Sequence, residues 1–379
     1  MSSEKDKPSN PQQSRSKEPP APHPLKRCFA GDAPGSVRPT SALLDRAADQ
    51  FDGGEFEGAL ACAEEAARVE PRSVEAHHDR AAALQELNRL DEAEAAFARA
   101  LALDPDDPET LAGAADLFIN HLAPSNDHSE TGLEYARHGS RRVKRGSEHR
   151  GLGARLALLE GQALNDLGRP REGLARLEAA LAAAPDDTRV RYERAVSLFE
   201  LCKFDDAHRA LVELITRTPD DAWAHQHLGL IDERVGDARG AEREVARAHQ
   251  LAPDDFPPPI ILPLDEFRAL VDSEVTALAP DLRQDLGRVS LEIADLPAVD
   301  DLVAEEPPLS PTILGLYRGA PLTEDARGEP RAIVLYRLNL GRAVASLAEL
   351  RTQVRTTLLH ELGHLRGEDD EELRARGLE

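Results

Sequence analysis

Close to its C-terminal end the chain carries the stretch His360-Glu361-Leu362-Gly363-His364-Leu365-Arg366-Gly367-Glu368-Asp369-Asp370. Two histidines four positions apart on a helix lie one turn above each other, so both imidazoles can point a nitrogen at one metal ion. Glu361 lies beside them, where a carboxylate can act on a water molecule instead of binding the ion. The spacing predicts a metal-binding helix, with zinc as the expected ion.

The residues before this stretch predict the helix that would carry it. Leucine and valine recur every three or four positions through residues 347–362, and no proline interrupts them. Ser346 and Glu349 have the spacing of a capping box, which marks the start of a helix. Gly367 suits the left-handed conformation that ends one. We therefore expect a helix over residues 347–366.

A third metal ligand is expected just after Gly367, where the chain turns back towards the two histidines. Four acidic residues follow one another from Glu368 to Glu371. Asp370 is the predicted ligand, and Asp369 and Glu371 remain as alternatives one position away. Three ligands would leave a fourth zinc position open for water, as in catalytic zinc sites.

Composition limits the classes of protein to which the chain can belong. Its 379 residues are 41% hydrophobic, which is enough for two or three folding units with their own cores. A net charge of −24 argues against binding to nucleic acid and favours basic or neutral partners. No apolar run is long enough for a membrane span or a secretory signal. Three scattered cysteines, Cys28, Cys62 and Cys202, form no disulfide or CxxC pattern, so we expect a cytoplasmic protein.

Residues 1–40 are rich in Pro, Ser, Lys and Gln and contain few large apolar side chains. Such a segment buries too little surface to offset its chain entropy, so we expect a disordered tail. A repeat begins after it, because successive prolines are 34, 80, 34 and 34 positions apart. These prolines are Pro71, Pro105, Pro185, Pro219 and Pro253. Small residues such as Ala59 and Ala66 recur at fixed distances before them, as expected where helices pack closely.

This pattern resembles the tetratricopeptide repeat, in which two antiparallel helices occupy 34 residues. The resemblance rests on segments such as Gly54-Glu55-Phe56-Glu57-Gly58-Ala59-Leu60, Lys203-Phe204-Asp205-Asp206-Ala207 and Leu228-Gly229. It implies an all-α solenoid over residues 41–254 with about six repeats and a groove that binds protein or peptide partners. The third repeat, at about 106–152, is expected to be irregular because it contains an insertion with Ala123-Pro124-Ser125-Asn126-Asp127 and a basic run. The basic run is either a solvated helix face or a docking patch.

Three consecutive prolines at 257–259 end the repeat, and a second domain is expected over residues 255–379. An apolar stripe predicts a helix over 264–278. Three β-rich segments predict strands at 289–294, 313–318 and 332–338 before the metal-binding helix. The expected fold is therefore an all-α solenoid followed by a small α+β domain.

This second part resembles the minimal zincin-like metallopeptidase domain. The resemblance rests on Asp265-Glu266-Phe267, Leu314-Gly315-Leu316-Tyr317-Arg318-Gly319, Ile333-Val334-Leu335-Tyr336-Arg337 and the closing His-Glu helix. It implies a zincin fold in which His360, His364 and an acid after Gly367 bind zinc and Glu361 is the catalytic carboxylate. Metzincins are excluded because they need a methionine turn after this helix, and Met1 is the only methionine.

The implied function is a zinc-dependent metallopeptidase that hydrolyses peptide bonds through a zinc-bound water with Glu361 as general base. Tyr317 and Tyr336 are candidates for stabilising the oxyanion, and a strand near the metal helix could hold an extended substrate. The repeats would recruit protein partners or substrate. The alternative is an interaction scaffold whose C-terminal zinc site is structural or only vestigially catalytic.

Overall fold

A computed structural model describes residues 39–143, 146, 149–304, 306–323 and 330–378. Contacts between Cα atoms divide the chain into two compact units, Met1–Gly113 and Ala114–Glu379. The disordered tail predicted for residues 1–40 and Cys28 lie outside the described residues, apart from Pro39 and Thr40. The tail stays a prediction, and so does the domain boundary at residue 254.

The first unit consists of helices that pack as consecutive pairs, α1 on α2 and α3 on α4. Each helix begins where the sequence supplies a cap or a turn; the Ser73 hydroxyl, for example, accepts the Ala76 N–H at 3.1 Å. The helices are α1 (Thr40–Asp52), α2 (Phe56–Val69), α3 (Val74–Glu86), α4 (Leu90–Leu103) and α5 (Pro108–Asp116), the last of which crosses into the second unit.

The second unit continues with helices in the same pairwise order. A π-helical turn over Leu117–His121 extends α5, and Ser125 caps the helix that follows. The helices are α6 (Asn126–Arg142), α7 (Arg150–Asp166), α8 (Pro170–Ala183), α9 (Thr188–Glu200), α10 (Phe204–Arg217), α11 (Ala222–Arg234) and α12 (Ala238–Leu251). Ala123, Pro124 and Ser125 of the predicted insertion thus lie in the turn between the two helices of the third pair, and Asn126 and Asp127 begin α6. The predicted basic run consists of Arg137, Arg141, Arg142, Lys144 and Arg145, and the last two of these lie outside the described residues.

Small side chains allow the paired helices to approach closely. The alanines that precede the repeat prolines, among them Ala66, Ala100 and Ala180, are fully buried. At Gly161 an added Cβ would lie 2.4 Å from Leu177 Cγ on the next helix. The 34-residue spacing therefore reflects the positions at which two helices of a pair touch, and the predicted all-α repeat fold is confirmed.

The C-terminal part of the second unit is an α+β domain, as predicted. Strand β3 forms the centre of a three-stranded sheet of order β1-β3-β2, pairing parallel with β1 and antiparallel with β2. The elements are α13 (Leu264–Ala277), α14 (Pro280–Leu286), β1 (Ser290–Ala294), α15 (Val299–Leu302), β2 (Gly315–Arg318), β3 (Ala332–Tyr336), α16 (Arg337–Arg342), α17 (Leu347–Arg366) and α18 (Asp370–Ala375). Every element expected here is present, with ends that differ by two residues at most.

The core of this domain lies between one face of the sheet and helices α13 and α17. Phe267 of α13, Ile333 and Leu335 of β3, and Leu358 and Leu362 of α17 are all buried there. Alternate side chains of a strand point to opposite faces, so Val334 and Tyr336 face away from α17. The core thus holds the metal-binding helix against β2 and β3. Within the described residues, no helix combines the length and apolar character required to cross a membrane.

Candidate metal centre

Local interactions fix both ends of α17. At its start the Ser346 hydroxyl accepts the Glu349 N–H at 3.2 Å, and the Glu349 carboxylate accepts the Ala345 N–H at 2.9 Å. At its end Gly367 has φ of +93°, in the left-handed region, and its N–H donates to His364 at 3.0 Å. The helix covers Leu347–Arg366, the range that the cap and the glycine predict.

The three predicted ligands lie together at the C-terminal end of this helix. The Nε2 atoms of His360 and His364 are 3.0 Å apart. One carboxylate oxygen of Asp370 lies 3.5 Å from the His360 Nε2 atom and 3.2 Å from the His364 Nε2 atom. Zinc bonds of about 2.0–2.1 Å in tetrahedral geometry separate neighbouring ligand atoms by about 3.3 Å. The three distances therefore match one triangular face of a tetrahedral zinc site.

Both imidazole rings are oriented by main-chain carbonyls on the side away from the triangle. The Nδ1 atom of His360 lies 2.6 Å from the Leu378 oxygen, and the Nδ1 atom of His364 lies 3.0 Å from the Glu368 oxygen. A carbonyl oxygen can only accept, so each Nδ1 carries a hydrogen, and in the neutral form of the ring the Nε2 atom then carries a lone pair. Two lone pairs 3.0 Å apart repel unless a hydrogen or a cation lies between them. The ring orientations thus fit a metal ion at this point.

Asp370 reaches the histidines because α18 packs against α17. The Asp369 carboxylate accepts the Glu372 N–H at 2.9 Å, and the Glu372 carboxylate accepts the Asp369 N–H at 3.1 Å, which is a capping box. At Gly363 an added Cβ would overlap a methyl group of Leu373, so only glycine permits this approach of the two helices. The sequence carries this signal, since Asp369 and Glu372 are three positions apart, but Asp369 was considered above only as an alternative ligand.

Glu361 lies on the same helix, directed towards strand β2. Its side chain is buried, and the Tyr317 main-chain N–H donates to its carboxylate. Burial raises the pKa of Glu361 to about 8, the charge of Asp370 acts in the same direction, and the Tyr317 hydrogen bond opposes them. At Gly315 an added Cβ would lie 2.8 Å from a Glu361 carboxylate oxygen and 2.6 Å from a Thr357 methyl carbon. Glycine at this position therefore lets β2 lie directly on the carboxylate.

The two tyrosines considered for the oxyanion differ in what surrounds their hydroxyl groups. The Tyr317 hydroxyl donates to the Ala320 carbonyl at 2.6 Å. Tyr336 is fully buried and lies on the face of β3 opposite to α17, where burial raises its pKa to about 12. The Tyr317 hydroxyl is thus bonded to a main-chain carbonyl, whereas the buried Tyr336 hydroxyl lies close enough to Glu361 for the carboxylate charge to raise its pKa further. The group of Tyr317 that contacts Glu361 is its main-chain N–H.

Family models agree with this division of the chain. Residues 44–108 and 164–231 each match a model of the tetratricopeptide repeat. Residues 286–378, which contain the sheet, the histidines and Asp370, match the model of the zincin-like metallopeptidases. The chain is a tetratricopeptide-repeat protein with a C-terminal zincin-like domain. No curated protein matches the sequence of this chain.

Several solved structures are similar to part of this chain. One is PilW, described as a widely conserved type IV pilus biogenesis factor, with a TM-score of 0.49, 20% identity and coverage of 58% of this chain and 96% of that chain. Another is PilF of Pseudomonas aeruginosa, with a TM-score of 0.47, 17% identity and coverage of 57% and 92%. A tetratricopeptide repeat protein from Parabacteroides merdae has a TM-score of 0.43, 16% identity and coverage of 56% and 79%.

Proposed function

We propose that this protein is a zinc-dependent peptidase whose repeats recruit its protein partners or substrates. The observation that carries the proposal is the triangle of two Nε2 atoms and one carboxylate oxygen, with Glu361 buried beside it on the same helix. A site that only stabilised the fold would need no buried carboxylate next to its ligands. The match of residues 286–378 to zincin-like metallopeptidases supports the same conclusion.

His360, His364 and Asp370 would hold the ion, since two imidazoles and a carboxylate are a donor set that zinc commonly takes. Bound zinc supplies a Lewis acid, which polarises a carbonyl group and makes a water molecule more acidic. The carbonyls of Leu378 and Glu368 keep both imidazoles turned so that Nε2 faces the ion. Their hydrogen bonds also strengthen the imidazoles as ligands.

Glu361 is the proposed general base. Its carboxylate would take a proton from the attacking water and pass it to the nitrogen of the departing amine. Burial favours the protonated form, whereas a cation at the three ligands favours the ionised form. The Tyr317 N–H donates to the carboxylate and would restrict its orientation.

Strand β2 is the proposed site for an extended substrate. The Leu314 carbonyl accepts the Tyr336 N–H at 2.9 Å, so the main chain of Leu314 faces β3. Along an antiparallel strand, the main-chain N–H and C=O groups of successive residues point alternately towards the partner strand and away from it. The main-chain groups of Gly315 and Tyr317 therefore face the outer edge of the sheet. The Gly315 N–H and C=O and the Tyr317 C=O could pair with a peptide laid along this edge.

Two substitutions test the proposal. His360→Ala removes a ligand, so we expect zinc content, measured by mass spectrometry of the purified protein, to fall. Glu361→Gln preserves size and should retain zinc, while peptide turnover falls by about 10²–10⁴-fold, the usual contribution of a positioned base. The substrates should include unfolded polypeptides and peptides captured on the repeats.

Three outcomes separate this proposal from its rivals. Cleavage that persists undiminished in Glu361→Gln would indicate a contaminating protease. Zinc that stays bound in the wild type without any turnover would favour an interaction scaffold with a structural zinc site. Equal zinc content in the wild type and His360→Ala would reject the ligand assignment itself.

A further inference from the structure

The last repeat holds the loop that leads into strand β2. Arg234, the final residue of α11, donates from Nη1 to the Pro297 carbonyl at 3.2 Å and from Nη2 to the Pro311 carbonyl. On the repeat side its guanidinium lies over the Phe204 ring, 5.3 Å from the ring centre. Arg234 therefore joins both ends of the segment between β1 and β2 to the solenoid.

Two neighbouring contacts also join the repeats to the C-terminal domain, and together with the contacts of Arg234 they form what we call the junction. Ser310 donates a hydrogen bond to the Glu200 carboxylate at the end of α9. Glu233 forms an ion pair with Arg342 of α16, and both side chains are largely buried. The junction is thus made by the C-terminal ends of α9 and α11, which follow one another in the repeat.

The sequence marks Arg234 as an exception among the repeats. Arg234 lies 34 residues after Glu200 and is the last residue of the first helix of its repeat. In the other regular repeats the residue at this position is acidic. Those residues are Asp52, Glu86, Asp166 and Glu200. A cation replaces the acid in the last repeat, where the carbonyl oxygens of Pro297 and Pro311 need a donor. This change of charge coincides with the contact to the zincin-like domain.

The junction is continuous with the metal centre. The Pro311 carbonyl also accepts from the buried Asn339 side chain at 3.0 Å, and the same amide donates to the Ile313 carbonyl at 2.8 Å. Strand β2 begins two residues later, with Gly315 against Glu361 and the Tyr317 N–H bonded to it. The residues that lead into β2 are therefore held by hydrogen bonds from Arg234 and Asn339.

We infer that Arg234 is a positioning residue for the proposed peptidase site, because it fixes the strand that orients Glu361 and would bind the substrate. The inference rests on the proposed function for its catalytic consequence, but the effect on β2 can be measured independently. The planar guanidinium presents Nη1 and Nη2 to the two carbonyls in a fixed geometry, whereas lysine offers a single nitrogen on a flexible stem and glutamine a shorter, uncharged amide. The repeats would thus act on the reaction as part of its scaffold as well as by recruiting partners.

Hydrogen exchange of the full-length protein tests the inference directly. In Arg234→Gln we expect the amides of residues 312–318 to exchange about tenfold faster or more, while those of α17 stay unchanged. Arg234→Lys should lie between this variant and the wild type. Arg191→Gln is the matched control, since it removes a repeat arginine that bonds the Pro185 carbonyl and Glu213 and leaves the carbonyls of Pro297 and Pro311 bonded. Zinc content should be unchanged in all three variants, and kcat for a peptide substrate should fall in Arg234→Gln.

Each outcome of the exchange experiment either supports or overturns the positioning role of Arg234. Unchanged exchange of residues 312–318 in Arg234→Gln would overturn the inference, whatever the activity. Faster exchange throughout the repeats and α17, in both Arg234→Gln and Arg234→Lys, would also overturn it, since Arg234 would then only stabilise the fold. Faster exchange confined to β2, in a protein whose wild type cleaves no peptide, would support the positioning of β2 while the proposed function failed.

Discussion

The imidazole Nδ1 of His360 is bonded to the main-chain carbonyl of Leu378, at 2.6 Å and eighteen residues further along the chain. The segment that supplies this carbonyl is held in turn by the Leu378 N–H, which donates to Leu373 at 3.1 Å. Leu373 packs against Gly363 on the metal-binding helix. The last turn of the described chain thus orients a proposed zinc ligand through its backbone.

Removal of this carbonyl should weaken metal binding. In a chain that ends at Arg376, the His360 ring loses the acceptor that fixes its tautomer and orientation. We expect zinc affinity to fall by about 10–100-fold, the usual effect of losing such a partner, as measured by competition with a chelator. Leu378→Ala keeps the carbonyl and serves as the control, so an equal loss of affinity in both variants would show that the side chain is what matters.

Asp369 and Asp370 should differ in what they support. Asp370→Ala removes the carboxylate oxygen nearest the two Nε2 atoms, so zinc affinity should fall while thermal stability of the metal-free protein changes little. Asp369→Ala removes the cap of α18 and should lower stability by about 1 kcal/mol. Calorimetry and zinc titration of both variants measure the two effects. Tighter zinc binding by Asp370→Ala than by Asp369→Ala would contradict the assignment.

Gly315→Ala should disturb catalysis more than metal binding. The added methyl group would meet Glu361 and Thr357, so either β2 or the carboxylate must move. We expect a destabilisation of about 1–3 kcal/mol, as for overpacking elsewhere, with reduced turnover and retained zinc. Gly287→Ala is a matched control, because a Cβ there makes only ordinary contacts at 3.4 Å and beyond. Full turnover in Gly315→Ala would show that β2 need not lie so close to Glu361.

Glu193 should make the stability of the repeats depend on pH. Burial raises its pKa from 4.5 to about 7, the charge of Asp166 adds to this, and hydrogen bonds from Gln162 and Asn165 oppose it. The folded state therefore binds the proton more tightly than the unfolded state, so stability falls as pH rises from about 4.5 to about 7. The side chain is partly exposed, and solvent screening limits the expected loss to about 1 kcal/mol. Urea unfolding followed by circular dichroism at pH 5 and pH 8 measures it.

Glu193→Gln provides the comparison for that experiment. The amide cannot ionise, so the difference in urea midpoint between pH 5 and pH 8 should shrink relative to the wild type. An unchanged difference would assign the pH dependence to other carboxyl groups.

Much of the fold follows from local sequence. The start and end of α17 depend on Ser346, Glu349 and Gly367, all within four residues of the ends they fix, so they were predictable to the residue. The repeats were predictable because the regular helix pairs bury residues, most of them small, at the same spacing. The strands were located by their apolar pattern, with ends less certain because pairing partners decide them.

The pairing of His360 with His364 and the neighbouring Glu361 was likewise set by the sequence, since helical spacing alone puts these side chains on adjacent positions. Which acid joins them was decided only by tertiary structure, where α18 turns Asp369 into a cap and brings Asp370 to the histidines. The same holds for the Leu378 carbonyl and for Arg234, which meets Pro311 across 77 residues. Such contacts depend on how separate elements pack against one another, and no periodicity or cap within a single element encodes that packing.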